Sequence, residues 1–93
     1  MGEQVRVHAT VRGRVQMVGF RAFVLYRAAE LGVSGTVANR PDGSVECVVE
    51  GERGAVGQLI RSVRQGPRSA RVDTVEVVEQ PFRGDLPPMR VTA

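Results

Sequence analysis

Lysine and tryptophan are absent from this 93-residue chain, and histidine, cysteine and tyrosine each occur once. These shortages remove whole classes of function. The lone cysteine, Cys47, can neither close an internal disulfide nor build a metal site by itself. No apolar run approaches the roughly 20 residues that span a bilayer, and the N-terminus lacks a signal-peptide core. A single small cytoplasmic domain without a membrane partner is therefore expected over residues 1–93. The missing lysine leaves all 13 basic residues as arginine, against 10 acidic ones, for a net charge of +3. An arginine-favouring genome and a nucleic-acid-binding surface both account for that, and a mild charge spread along the chain decides neither.

What is present alternates in a readable way. Val5, Val7, Ala9 and Val11 interleave with Arg6, His8, Thr10 and Arg12, the period-two pattern of a half-buried strand. From Phe20 to Leu31 the pattern turns helical: Phe20, Val24, Ala28 and Leu31 share a face and Gly32 supplies the stop. Thr36 to Arg40 reads as a second strand, Pro41-Asp42-Gly43 as a hairpin turn, and Ser44 to Glu50 as a third strand with Val45, Cys47 and Val49 on one side. After Gly51–Gly54, Val56, Leu59, Ile60 and Val63 stripe a second helix over Ala55 to Gln65. Gly66-Pro67 ends it, and Val72 to Glu79 follows as a fourth strand with Val75 and Val77 inward.

The element order is β-α-β-β-α-β. It predicts an α+β, ferredoxin-like sandwich in which two helices cover one face of a four-stranded antiparallel sheet. Residues 81–93 read as irregular, with Met89 to Thr92 a candidate short fifth strand at the edge. Such a fold hosts many functions, so the chemistry must come from particular residues.

Most candidates for catalysis fall to simpler readings. His8 sits on the polar side of the first strand with no serine, cysteine or metal-ligand partner nearby in sequence. Cys47 faces inward, where a thiol behaves as a small hydrophobe. Glu46 and Glu50 project from the third strand toward Arg6, His8 and Arg12 on its neighbour, which suits cross-strand pairing. The same face in an RNA-binding sandwich would carry stacking aromatics; here it holds Arg6, His8, Thr10, Glu46, Val48 and Glu50, so no nucleic-acid partner is expected.

What remains is the run Gly13-Arg14-Val15-Gln16-Met17-Val18-Gly19-Phe20-Arg21, at the junction of first strand and first helix. Unpartnered amides at a helix start, aided by the dipole, favour an anion, and a guanidinium adds fork geometry suited to phosphate oxygens. Arg21 is placed unfavourably at a positive helix end, and no Asp or Glu occurs between residues 13 and 29. An external anion would relieve it; a bland surface arginine is the competing reading. Asn39, at the end of the second strand, could by itself be a turn former.

These residues resemble the acylphosphatase family. Its loop signature appears as Gly13 to Arg21 and its second signature as Gly35-Thr36-Val37-Ala38-Asn39 before the polar hairpin. Gln65-Gly66-Pro67 through Ala70-Arg71-Val72 to Val75-Glu76-Val77 is similar to bacterial and archaeal members. The likeness covers roughly residues 5–80. It implies the ferredoxin-like fold and hydrolysis of acyl phosphates to a carboxylate and inorganic phosphate, without metal or cofactor. By position, it implies that Arg21 binds the phosphoryl group with the backbone amides of Val15, Gln16, Met17, Val18, Gly19 and Phe20, and that Asn39 orients the attacking water. A substrate phosphate oxygen would take the water's proton. The expected partner is a small acyl phosphate, with inorganic phosphate as product and inhibitor, and the chain is expected to act as a monomer. The alternative is a catalytically weak phosphate- or ligand-binding module of the same fold.

Two departures stand out. The family's closing strand is poorly matched by Met89-Arg90-Val91-Thr92. Met17 also stands where the family usually has glycine. Were that position to require positive φ, methionine would cost about 1–2 kcal/mol or reshape the loop. Because the rest of the motif is intact, an ordinary negative φ is expected, with the Met17 side chain lining the pocket.

Overall fold

The computed structural model describes residues 2–92. The elements run β1 (Gln4–Arg14), α1 (Phe20–Leu31), β2 (Ser34–Asn39), β3 (Val45–Glu52), α2 (Arg53–Gln65), β4 (Arg71–Gln80) and β5 (Arg90–Val91). The sheet order is β4-β1-β3-β2-β5, with antiparallel pairing throughout except between β2 and β5. The four expected antiparallel strands are all present, and the candidate fifth strand forms and makes the sheet mixed: Thr36 and Val37 of β2 face Arg90 and Val91 of a returning C-terminal segment.

Alternation on β1 buries Val5, Val7, Ala9 and Val11 beneath the helices, beside Val45, Cys47 and Val49 of β3 and Val37 of β2. Phe20, Val24 and Ala28 of α1 and Val56, Leu59 and Val63 of α2 close the core from above. Leu31 and Ile60, expected in those stripes, are half-buried at the margin. Glu52 caps α2 by accepting from the Ala55 amide at 3.2 Å, which starts the helix at Arg53, two residues before the expected start. Burial pushes the Cys47 thiol up to about 12, so it stays protonated and inert at neutral pH.

One inward assignment fails. Val77 lies opposite Ala9, on the helix-facing side of β4, yet 38 % of its surface is exposed. β4 is an edge strand with a neighbour on one side only. Farther along the same face, Glu79 pairs with Arg53 at 3.0 Å, which keeps that margin polar.

On the open face, Arg6 meets Glu50 at 3.1 Å and His8 meets Glu46 at 2.6 Å, the cross-strand pairing expected from β1 and β3. Arg12 pairs instead with Asp42 of the hairpin, at 3.1 Å. Glu50 is unusual in being buried, because the segment after β4 folds back over it. Its Oε2 accepts from the Arg83 amide at 2.8 Å and the Gly84 amide at 3.2 Å as well as from Arg6. Burial raises the Glu50 pKa, but those two amides and the guanidinium outweigh it and hold the carboxyl below the usual range.

A carboxyl whose pKa is depressed on folding contributes stability above its unfolded value, and loses it as pH falls through the folded value. Glu50 therefore stabilises the protein fully at pH 7 and progressively less below about pH 4.5. Glu50→Ala should cost about 2 kcal/mol at pH 7, since it leaves the Arg83 and Gly84 amides without their acceptor and removes one partner of the half-buried Arg6, which keeps Asp85 and Gln80. Urea denaturation at pH 7 and pH 3 checks this: the mutant and wild type should differ much less at the lower pH.

Candidate functional site

The loop between β1 and α1 begins at a break in register. Pairing between β1 and β4 shifts between Arg12 and Gly13, and Gly13 has φ of 136°. A Cβ there would lie 2.1 Å from the Arg71 carbonyl oxygen, so only glycine permits the bulge at this point, beyond which Arg14 still pairs with Arg71. Val15 and Phe20 anchor the two ends of the loop in the core.

Between them the backbone alternates in sense. Met17 has φ of 61° and Gly19 φ of 79°, while Gln16 and Val18 are not left-handed. Alternation of this kind is the backbone pattern in which successive N–H groups can turn toward a common point. Among the described residues, no amide from Gln16 to Gly19 donates to a protein acceptor. Gly19 is the α1 N-cap without a side-chain cap bond, and the first turn holds no acidic residue, so the helix start adds further unpartnered donors.

The loop is braced from both sides. The Gln16 side-chain amide donates to the Arg40 carbonyl at 2.7 Å and the Ser44 carbonyl at 2.8 Å. These carbonyls bracket the β2–β3 hairpin. The Ser69 hydroxyl, from the loop after α2, donates to the Val18 carbonyl at 2.6 Å. Sequence reasoning placed only the backbone of Gln16 in the site and missed Ser69 altogether. The signal available for Gln16 was its two amide donors, but their target lies 24 residues away.

Arg21 is half-buried in the first turn of α1. Of the half-buried arginines, Arg6 and Arg27 have carboxylate partners, whereas Arg21 has no ion pair or hydrogen bond among the described residues. It lines a cavity of about 280 Å³ with Val15, Met17, Gly19, Phe20 and Val91. Asn39 does not line that cavity. It reaches the loop through its neighbour Arg40, whose carbonyl Gln16 holds, and it is half-buried with its Oδ1 shielded and unpartnered. Among the described residues, no group of three His, Cys, Asp or Glu side chains could hold a metal ion, and no helix is long and apolar enough to cross a membrane.

The family model for Acylphosphatase matches residues 7–87. The chain belongs to the acylphosphatase family. Its members are hydrolases, and this chain is an enzyme of that class. It is 56 % identical over 79 residues to the acylphosphatase of Rubrobacter xylanophilus, covering 85 % of this chain and 72 % of that one. Identity to the acylphosphatase of Anaeromyxobacter dehalogenans is 51 % over 86 residues, covering 92 % of both chains. The crystal structure of acylphosphatase from Bacillus subtilis is 31 % identical, covers 96 % of this chain and 99 % of its own, and superposes with a TM-score of 0.92.

For this acylphosphatase-family chain, the expectation about Met17 is corrected. Met17 is left-handed, with φ of 61°, and its side chain is 98 % exposed. With Gly19 it gives the alternation of φ in the loop between the buried Val15 and Phe20. The side chain lies at the cavity mouth and gains almost no burial in return. Met17→Gly should therefore raise stability by about 1 kcal/mol, or several degrees in Tm. A thermal melt measures it, and a lower Tm would mean the methionine side chain contributes contacts that outweigh the backbone strain.

Proposed function

We propose that the chain hydrolyses acyl phosphates to a carboxylate and inorganic phosphate, without a metal ion. One observation carries the reading: a half-buried arginine without a protein partner stands at a helix start whose neighbouring amides are unpartnered as well. A tetrahedral dianion satisfies both sets of donors at once. The family relationship supports the same substrate class.

In the proposed reaction, the loop amides from Val15 to Phe20 and the Arg21 guanidinium hold the three non-bridging phosphoryl oxygens. Asn39 holds a water in line with the scissile bond. The water oxygen bonds to phosphorus as the bond to the acyl oxygen breaks, and the bonding pair leaves on the carboxylate. A water proton passes to a phosphoryl oxygen, so no protein base is required. A carboxylate is a good leaving group, and a loose transition state chiefly needs positioning and charge stabilisation. The neutral amide of Asn39 suits the first task and the cradle suits the second. One copy carries every residue named, so the enzyme is proposed to act as a monomer in the cytoplasm.

The purified protein should hydrolyse benzoyl phosphate in excess EDTA, with inorganic phosphate as a competitive inhibitor. Phosphate binding by calorimetry without turnover would favour the weak binding module instead. Neither binding nor turnover would remove the site.

A further inference from the structure

The helix α1 is apolar on two sides. Phe20, Val24 and Ala28 face the core, while Ala22, Leu25 and Ala29 form a second stripe at i, i+3 and i+7. Leu25 is half-buried against the margin of the core, whereas Ala22 and Ala29 are exposed. The stripe runs beside the C-terminal segment, where Met89 and Val91, alternate residues of an extended chain, line the same side. β5 is only two residues long, and the space between this segment and α1 is lined by residues of both.

Two cavities occupy that space. The first, at the phosphate cradle, ends at Leu25 and Val91. The second, of about 330 Å³, starts at Leu25 and continues past Ala29 to Val33, Pro88 and Met89. Leu25 lines both, so the second cavity adjoins the first across a single side chain. Charge is distributed along this groove one way: Arg21 is the charged residue, at the cradle end, and Ser34 supplies the polar side chain at the far end. The stripe from Ala22 to Ala29 extends about 10 Å along the helix axis.

We propose that this groove binds the acyl chain of the substrate, and that the preferred substrates are acyl phosphates with an extended apolar acyl group. The inference rests on the proposed phosphoryl site at Arg21 and adds the direction in which the acyl group leaves it. An anionic head over the cradle places the tail over Leu25, toward Ala29 and Met89. A polyol or charged acyl group would lose its hydration there and find only the Ser34 hydroxyl.

The test is a series from acetyl through butyryl and hexanoyl to octanoyl phosphate, with succinyl phosphate as the charged counterpart of butyryl. In the wild type, kcat/KM should rise about two-fold for each added methylene, mainly through KM, and succinyl phosphate should fall at least about ten-fold below butyryl. Ala29→Asp, on the exposed helix surface, and Leu25→Ser should each cut the octanoyl-to-acetyl ratio at least about ten-fold. Val78→Asp, exposed on the opposite face of the sheet, should leave that ratio intact. A flat series in the wild type, or a rise that both groove variants preserve, would overturn the proposal while the hydrolase reading stands. No hydrolysis of any member would remove the reaction itself, and the groove's role with it.

Discussion

Replacing Arg21 with alanine should lower kcat/KM for benzoyl phosphate by at least about 10³-fold, and the variant should melt no lower than the wild type. The first figure follows from the size of single-donor losses at oxyanion sites and of arginine contributions to phosphoryl transfer. The second follows from position. A cation in the first turn of a helix opposes the dipole, and Arg21 has no carboxylate among the described residues to offset that. Its removal should be neutral or stabilising by up to about 1 kcal/mol. Activity lost with stability kept is the signature of a residue held for a ligand. Arg21→Lys should recover little, because an ammonium keeps the charge but not the planar fork. A steady-state assay beside a thermal melt measures both quantities. Turnover within about ten-fold of wild type would show that the amides alone bind the phosphoryl group.

Where a residue's environment is set by its near neighbours, it could be read from the chain. β1 alternates strictly because one face of a central strand is buried and the other is not, so Val5 through Val11 announce themselves. The α1 limits follow from Phe20 at one end and Gly32 at the other. The partnering of β1 with β3, and with it the Arg6–Glu50 and His8–Glu46 pairs, follows from the element order.

Features that depend on chain closure were hidden. β5 lies inside the candidate stretch Met89 to Thr92, but its parallel pairing with β2 depends on the return of residues 81–89, which no local pattern announces. The same return buries Glu50, whose alternation with Val49 marked it only as polar-face. Val77 alternates correctly but lies at an edge that α2 does not cover, and alternation cannot distinguish an inward residue from a covered one. Met17 is the sharpest case. The intact motif around it argued for an ordinary negative φ, and the folded loop gives it φ of 61°. Gln16 belongs to the same class, since its side chain acts on carbonyls whose proximity only the folded hairpin creates.

Asn39→Ala should lower kcat by about 10²–10³-fold while the inhibition constant for inorganic phosphate changes little. The separation arises because Asn39 stands outside the cavity that Arg21 lines, and is joined to the loop only through the Gln16–Arg40 bond. A residue that holds the nucleophile affects the transition state and leaves ground-state binding of the phosphoryl group alone. Its Oδ1 is shielded and accepts no hydrogen bond from the described residues, so alanine breaks no bond that Oδ1 makes within the protein and the variant should be about as stable as wild type. A purely structural turn residue would give the reverse: lower Tm and nearly normal kcat. Asn39→Asp separates the roles further, since a carboxylate still accepts from water but repels the phosphoryl dianion and should raise KM. If phosphate affinity falls in step with kcat in Asn39→Ala, Asn39 touches the phosphoryl group itself, and the water must be held by another group in the cradle.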